Sequence, residues 1–198
     1  MFGLLGFLPW IAYAVIATGD EWRWGAITGL AIALVLVVID RVRGKGWDEM
    51  VIESSAAGFF AVITVLSLAD PDSPLTMYGP ALVNVWLAGT AWGSLAIRRP
   101  FTLGIARSMT PSEVHHTPEF YRVNAVITAV WAGAFTLAAA ALAWVLSVAP
   151  HATAVVVAVK VVSFVAPALF TGWYSRWVSR GLPPAARPAT RPGPPASR

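Results

Sequence analysis

Residues 123–149 read VNAVITAVWAGAFTLAAAALAWVLSVA, with no Asp, Glu, Lys or Arg among them. A helix rises 1.5 Å per residue, so about 20 residues cross a hydrocarbon core of roughly 30 Å. This run exceeds that length and reads as a membrane span. Working outward from it, charges and Pro/Asp clusters cut the chain into five more apolar stretches, at 2–18, 24–39, 54–69, 75–97 and 152–175. The stretch at 54–69 extends backwards through Glu53. The second and third stretches are short, so Arg23, Asp40 and Glu53 are expected at or just inside the headgroups. The expected fold is an all-α integral membrane bundle of six transmembrane helices covering residues 1–178.

Composition agrees. Only 12% of the 198 residues are charged, against roughly 25% in soluble domains, and 57% are hydrophobic. Mean hydropathy is +0.66. A soluble globule of this size cannot hide that much apolar surface, and the length suits one compact unit. The absence of cysteine excludes a disulfide framework, a thiol nucleophile and a cysteine-ligated metal. The three histidines lie in polar loops, which argues against a bis-histidine haem in the membrane. A signal peptide cut near Ala12-Tyr13-Ala14 would need a basic residue before the apolar run, and the run continues past that site. The first stretch is therefore read as a span.

Loop charge sets the orientation. The Lys and Arg counts after successive spans are 1, 3, 0, 4, 0 and 5. This alternation puts both termini in the cytoplasm. Trp22, Trp24 and Trp144 then fall at the outer boundary and Trp47, Trp173 and Trp177 at the inner one. Trp10, Trp86, Trp92 and Trp131 lie deeper, either filling gaps between helices or lining an aromatic cleft. The cytoplasmic loop 98–123 holds a short helix opened by Pro100 and ended by Pro111. Phe101, Ile105 and Met109 recur on one face of it, as suits a helix lying in the interface. From Gly181 onward there are six prolines, three arginines and no acidic residue. The segment 179–198 is expected to be a disordered, basic, Pro-rich tail.

Few residues within the spans carry chemistry. Lys160 lies about 12 Å into the last span, where a charge costs at least about 2.5 kcal/mol and marks a functional site by default. It either snorkels towards Asp20, Asp70 or Asp72, or binds something. Asn84 reaches nearly the same depth, and an interhelical Asn84–Lys160 hydrogen bond is expected if the two meet. With Trp86 they form the candidate intramembrane polar site. Glu53 enters from the opposite side and is not expected to be the partner of Lys160, and a paired set of intramembrane carboxylates is not found. Glu113, His115, His116 and Glu119 share helical faces only if Pro118 does not interrupt that helix, and they are read as a solvated loop rather than a metal site. Gly25-x-x-x-Gly29 and Gly89-x-x-x-Gly93 permit close helix packing. Pro9, Pro80 and Pro167 either kink their spans or mark broken helices. No H-E-x-x-H, G-x-S-x-G or Walker motif occurs, so no enzymatic activity and no cofactor are expected.

Several short features occur in a familiar order. Phe7-Leu8-Pro9 opens the first span, and the fourth ends at Arg98-Arg99-Pro100. Tyr121-Arg122-Val123-Asn124 leads into a span with Trp131 and Phe135, and Val159-Lys160-Val161 sits in the last. Over roughly residues 1–178 the chain resembles the intracellular septation protein A family of bacterial inner-membrane proteins. The resemblance implies multi-pass localisation in the inner membrane and a role in cell-envelope maintenance and septation. It implies contacts with division and wall-synthesis membrane proteins, and it brings no catalytic residues. The His-His loop and the tail depart from that pattern. Expected partners are the lipid bilayer, such membrane proteins and a further copy of the chain, with no nucleic acid. The alternative is a small transporter or channel with its site around Lys160, Asn84 and Trp86.

Overall fold

The computed structural model describes residues 6–16, 22–47, 50–70 and 72–181. Every helix or strand assigned among them is helical: α1 (Leu8–Ile16), α2 (Trp22–Val42), α3 (Val51–Ala69), α4 (Gly79–Ala96), α5 (Thr102–Arg107), α6 (Pro118–Val148) and α7 (Thr153–Gly181), with 3-10 turns at Pro74–Tyr78 and Ser112–Val114. The helices α2, α3, α6 and α7 are each long and apolar enough to cross a membrane, as a multi-pass membrane protein requires. The 18-residue α4 matches the shorter of these in length, but Pro80, Asn84, Thr90, Ser94 and its glycines make it less apolar. Residues 2–5 and 17–18 of the first expected span lie outside the described residues, as does the tail from 182. The last helix continues three residues past the expected boundary at 178, because no proline occurs between Pro167 and Pro183 to stop it.

Two helix ends share one device. At the end of α2, the Lys45 amide donates to the Asp40 carbonyl and the Gly44 amide to the Arg41 carbonyl. Gly44 takes φ +81°. This is a Schellman motif, which needs a left-handed residue just past the helix and favours glycine there. At the end of α4 the same pair of bonds runs from Arg99 to Ser94 and from Arg98 to Leu95, yet the left-handed residue is Arg98, at φ 55°. Proline placement is equally orderly. Pro9 and Pro80 each stand second in their helices, where the missing N–H costs nothing. Pro167 is interior to α7.

The helices pack as two groups. In one, α2 lies against both α1 and α3; in the other, α6 lies against α4, α5 and α7. The first helix joins them. Its Trp10 ring sits 5.0 Å from Phe59 and 5.1 Å from Phe60, while Phe7, just before it, lies 6.0 Å from Trp131 and 5.9 Å from Phe164. The Tyr13 hydroxyl meets the start of α4, 3.0 Å from where a Gly79 Cβ would stand. This segment is therefore part of the core. The α2–α3 seam depends on Gly29, where a Cβ would fall 2.7 Å from the Phe60 ring. Gly89 and Gly93 have open space instead, so their G-x-x-x-G spacing serves no helix contact among the described residues.

Three expectations change. Trp22 is buried rather than placed in an interfacial belt, and Trp92 is about half exposed, its indole N–H donating to Thr136 at 3.1 Å. The helix after Pro100 does form, as α5, but Phe101 turns into the core and Thr102 is buried, leaving only Met109 of the expected face fully exposed. The Thr102 hydroxyl donates to the Asn124 carbonyl at 3.0 Å and lies 2.9 Å from the Thr128 hydroxyl. The Phe101 amide donates to Ser94 Oγ at 3.1 Å. Internal hydrogen bonds thus dock α5 onto α6. Finally, Pro118 opens α6 instead of interrupting a helix, with Thr117 Oγ1 accepting from the Phe120 amide at 3.2 Å.

Candidate functional site

The three residues expected to form an intramembrane site occupy different seams. Asn84 is buried on the strip of α4 that includes Ala81, Leu87, Ala88 and Ala91. Its Nδ2 donates to the Pro80 carbonyl at 3.0 Å, and its Oδ1 has no hydrogen-bond partner among the described residues. The expected Asn84–Lys160 bond is therefore not made. Trp86, two residues on and so on another side of the helix, faces α3. Its indole N–H donates to Ser55 Oγ at 2.9 Å, Ser55 Oγ lies 2.6 Å from Thr90 Oγ1, and its ring sits 5.7 Å from Phe59. Lys160 is half-buried on the strip of α7 that carries Ser163, Phe164 and Pro167, and the strip with the exposed Val157, Val161 and Val165 flanks it. Among the described residues it forms no ion pair with Asp70 or Asp72. Distance along each helix was legible in the sequence, but azimuth between neighbours was not.

The 113–119 loop is held by its own bonds. His115 Nε2 lies 3.1 Å from Thr110 Oγ1, and its ring stacks on Phe120 at 5.3 Å. Among the described residues no group of three metal-ligating side chains occurs.

Charged side chains do converge at the turn end of the α2–α3 hairpin. The Schellman turn at Gly44 swings Lys45 back over Asp40, and Lys45 Nζ reaches Asp40 Oδ2 at 2.8 Å. Asp40 is buried although it stands near a helix end. Arg41 closes the turn from outside, donating to the Lys45 carbonyl at 2.9 Å and lying 4.8 Å over the Trp47 ring. Glu53, in the first turn of α3, comes to the same place from the other arm of the hairpin. Gly6, Leu36, Ile39, Asp40, Arg43, Lys45 and Glu53 together line one cavity of about 100 Å³. The two carboxylates thus share a site at the end of the α2 apolar run. Short-range signals for it were present: a glycine just past an apolar run, with Asp40 and Lys45 on either side. What the sequence hid is that the hairpin and the start of α1 bring Glu53 and Gly6 against them. A second cavity, of about 10 Å³, lies in the seam between the two helix groups beside Phe7, Ser55, Thr90 and Phe101.

No protein-family model, curated protein or solved structure matches the chain.

Proposed function

We propose that the chain is a six-span protein of the bacterial inner membrane, with both termini cytoplasmic. In this reading it supports cell-envelope maintenance and septation by holding other membrane proteins, without catalysis of its own. The observation that carries this reading is the last helix. Only 11% of the apolar window of α7 is buried within the chain, and the helix packs principally on α6. A face that includes Val157, Val161, Val165, Leu169 and Trp173 is left to lipid or to another helix. The six-span count is further supported by α4, which lies along α6 as a full-length neighbour, and by the alternation of loop arginines. Reporter fusions test the topology: those after residues 45, 110 and 198 should be cytoplasmic and those after 21, 72 and 150 external. A fusion at 110 read from outside would end this reading.

A second reading, a small transporter or channel, is favoured by one observation. The helices fall into two groups joined by a sparser seam, and transporter sites lie between such halves where they are repeats. Lys160 separates the two. For a scaffold, Lys160→Met removes a desolvation cost and leaves folding and envelope function intact. For a transporter, the same variant folds but is inactive, and Lys160→Arg restores it only in part, because guanidinium does not titrate in range.

A further inference from the structure

Helix α7 is longer than a bilayer core is thick. From Thr153 it rises about 35 Å to Arg176 and about 40 Å to Arg180, against a hydrocarbon core of roughly 30 Å. Its last two turns therefore stand at the level of the headgroups. Residues 173, 176, 177 and 180 are spaced three and four apart and share one face of the helix there. All four are exposed. The same face runs back towards the middle of the span through the exposed Leu169 and Val162. Along one line, aliphatic side chains give way to tryptophan and then to arginine.

The polar end of that line is set in place. Arg176 Nε donates to the Gly172 carbonyl at 2.8 Å, which ties the guanidinium to the helix. Neither Arg176 nor Arg180 forms an ion pair among the described residues, and the two stand one turn apart. Trp177 stacks on Tyr174 at 5.9 Å and on Trp173 at 6.4 Å, with interplanar angles of 21° and 16°. Both indoles are thus positioned by ring contacts while more than half their surface stays open. We propose that this face binds one phospholipid of net negative charge. Its phosphodiester lies between Arg176 and Arg180, its glycerol on Trp173 and Trp177, and an acyl chain along Leu169 and Val162. Charge complementarity selects this occupant. Guanidinium matches a phosphodiester in geometry and charge, and a choline headgroup brings a cation of its own against the two arginines. The inference goes beyond the scaffold reading and needs only that α7 crosses the bilayer.

The test is native mass spectrometry of the full chain in detergent, titrated with phosphatidylglycerol or with phosphatidylcholine of the same acyl chains. The first phosphatidylglycerol is expected to bind about tenfold more tightly than the first phosphatidylcholine. Arg176→Gln combined with Arg180→Gln should bring the two lipids within about twofold of each other. Arg98→Gln combined with Arg99→Gln removes the same charge from the end of α4 and should leave the preference as it was. Trp173→Ala combined with Trp177→Ala should weaken both lipids alike. If circular dichroism shows the Arg176/Arg180 double variant unfolded, Arg180→Gln alone decides, with a fall in preference of about threefold, because Arg180 makes no described side-chain hydrogen bond. Equal binding of the two lipids, or a preference that survives loss of Arg176 and Arg180, overturns the proposal. So does an equal loss in the Arg98/Arg99 variant, which would mean diffuse charge rather than a site. A dimer that disappears in the tryptophan variant would assign the face to a second copy of the chain and overturn it as well.

Discussion

The two helix groups keep their polar atoms in different ways. In α1–α3 the buried polarity includes an ionic cluster gathered at one end, where Asp40, Lys45 and Glu53 surround a cavity, besides the neutral Thr64 and Ser67 of α3. In α4–α7 it is made of neutral hydroxyls, amides and indoles strung along the seams: Thr102 with Asn124 and Thr128, Trp92 with Thr136, and Trp131 with Thr171 at 3.0 Å. The Asp40, Lys45 and Glu53 charges lie near helix ends, where water is within reach, and Lys160 is the exception, half-buried within α7. Neutral donors are short enough to be satisfied within or between helices at any depth. Glycine is also used differently. Gly29 lets two helices touch, whereas Gly89 and Gly93 face outward with nothing nearby.

The sharpest way to break this comparison is at those glycines. Gly29→Val places methyl groups against the fully buried Phe60 ring and should cost about 3 kcal/mol, the upper part of the range for overpacking, measured by denaturant unfolding in detergent. A smaller loss is expected at the ion pair. Asp40→Ala leaves Lys45 without its carboxylate and should cost about 2 kcal/mol, below a fully buried pair because the Lys45 side chain is 33% exposed. Its effect on Tm should shrink as salt rises. Thr102→Val is the counterpart in the other group. It strands the Thr128 hydroxyl and frees α5, costing about 1.5 kcal/mol, and the loss should not change with ionic strength.

The two Schellman turns permit a milder test with opposite signs. Arg98→Gly relieves a left-handed arginine and should stabilise by up to about 1 kcal/mol, whereas Gly44→Ala should destabilise by about the same amount. Calorimetric midpoints moving in the same direction would contradict the equivalence of the two turns. The smallest effect belongs to Gly93→Ala, which meets open space and should stabilise α4 by about 0.5 kcal/mol through helix propensity alone. A large loss there, seen as a fall in Tm, would mean that this face is covered by another chain.

Much of the local structure was legible. The apolar runs at 24–39, 54–69, 123–149 and 152–175 each became a helix that starts and stops within a few residues of the nearest charge or proline, because a helix is the form in which a lipid-exposed backbone satisfies its own polar groups. The short helix after Pro100 was legible from its spacing, and Gly44 as a stop from its place after an apolar run. The environment of α5 was not. Its Phe101–Ile105–Met109 period describes any one-sided helix, and long-range bonds such as Thr102 to Asn124 and Thr128, across 22 and 26 positions, made it a docked element. Trp22 was misplaced for a similar reason: a tryptophan near a span end reads as interfacial until a neighbouring helix covers it.

What the amino-acid sequence determined by itself is length, period and charge: a helical chain that belongs in a membrane, with polar atoms too few to stand in water. These are properties of single segments, set by the energy of placing each one in hydrocarbon. What the tertiary structure alone decided is which side of each helix meets which neighbour. That choice kept Lys160 from the Asn84 acceptor, placed Trp86 against Ser55, and drew Glu53 and Gly6 to the Asp40–Lys45 pair. The physical reason is that depth follows from counting residues along one helix. Azimuth follows from close packing between several, through contacts such as Gly29 on Phe60 and Phe7 between Trp131 and Phe164.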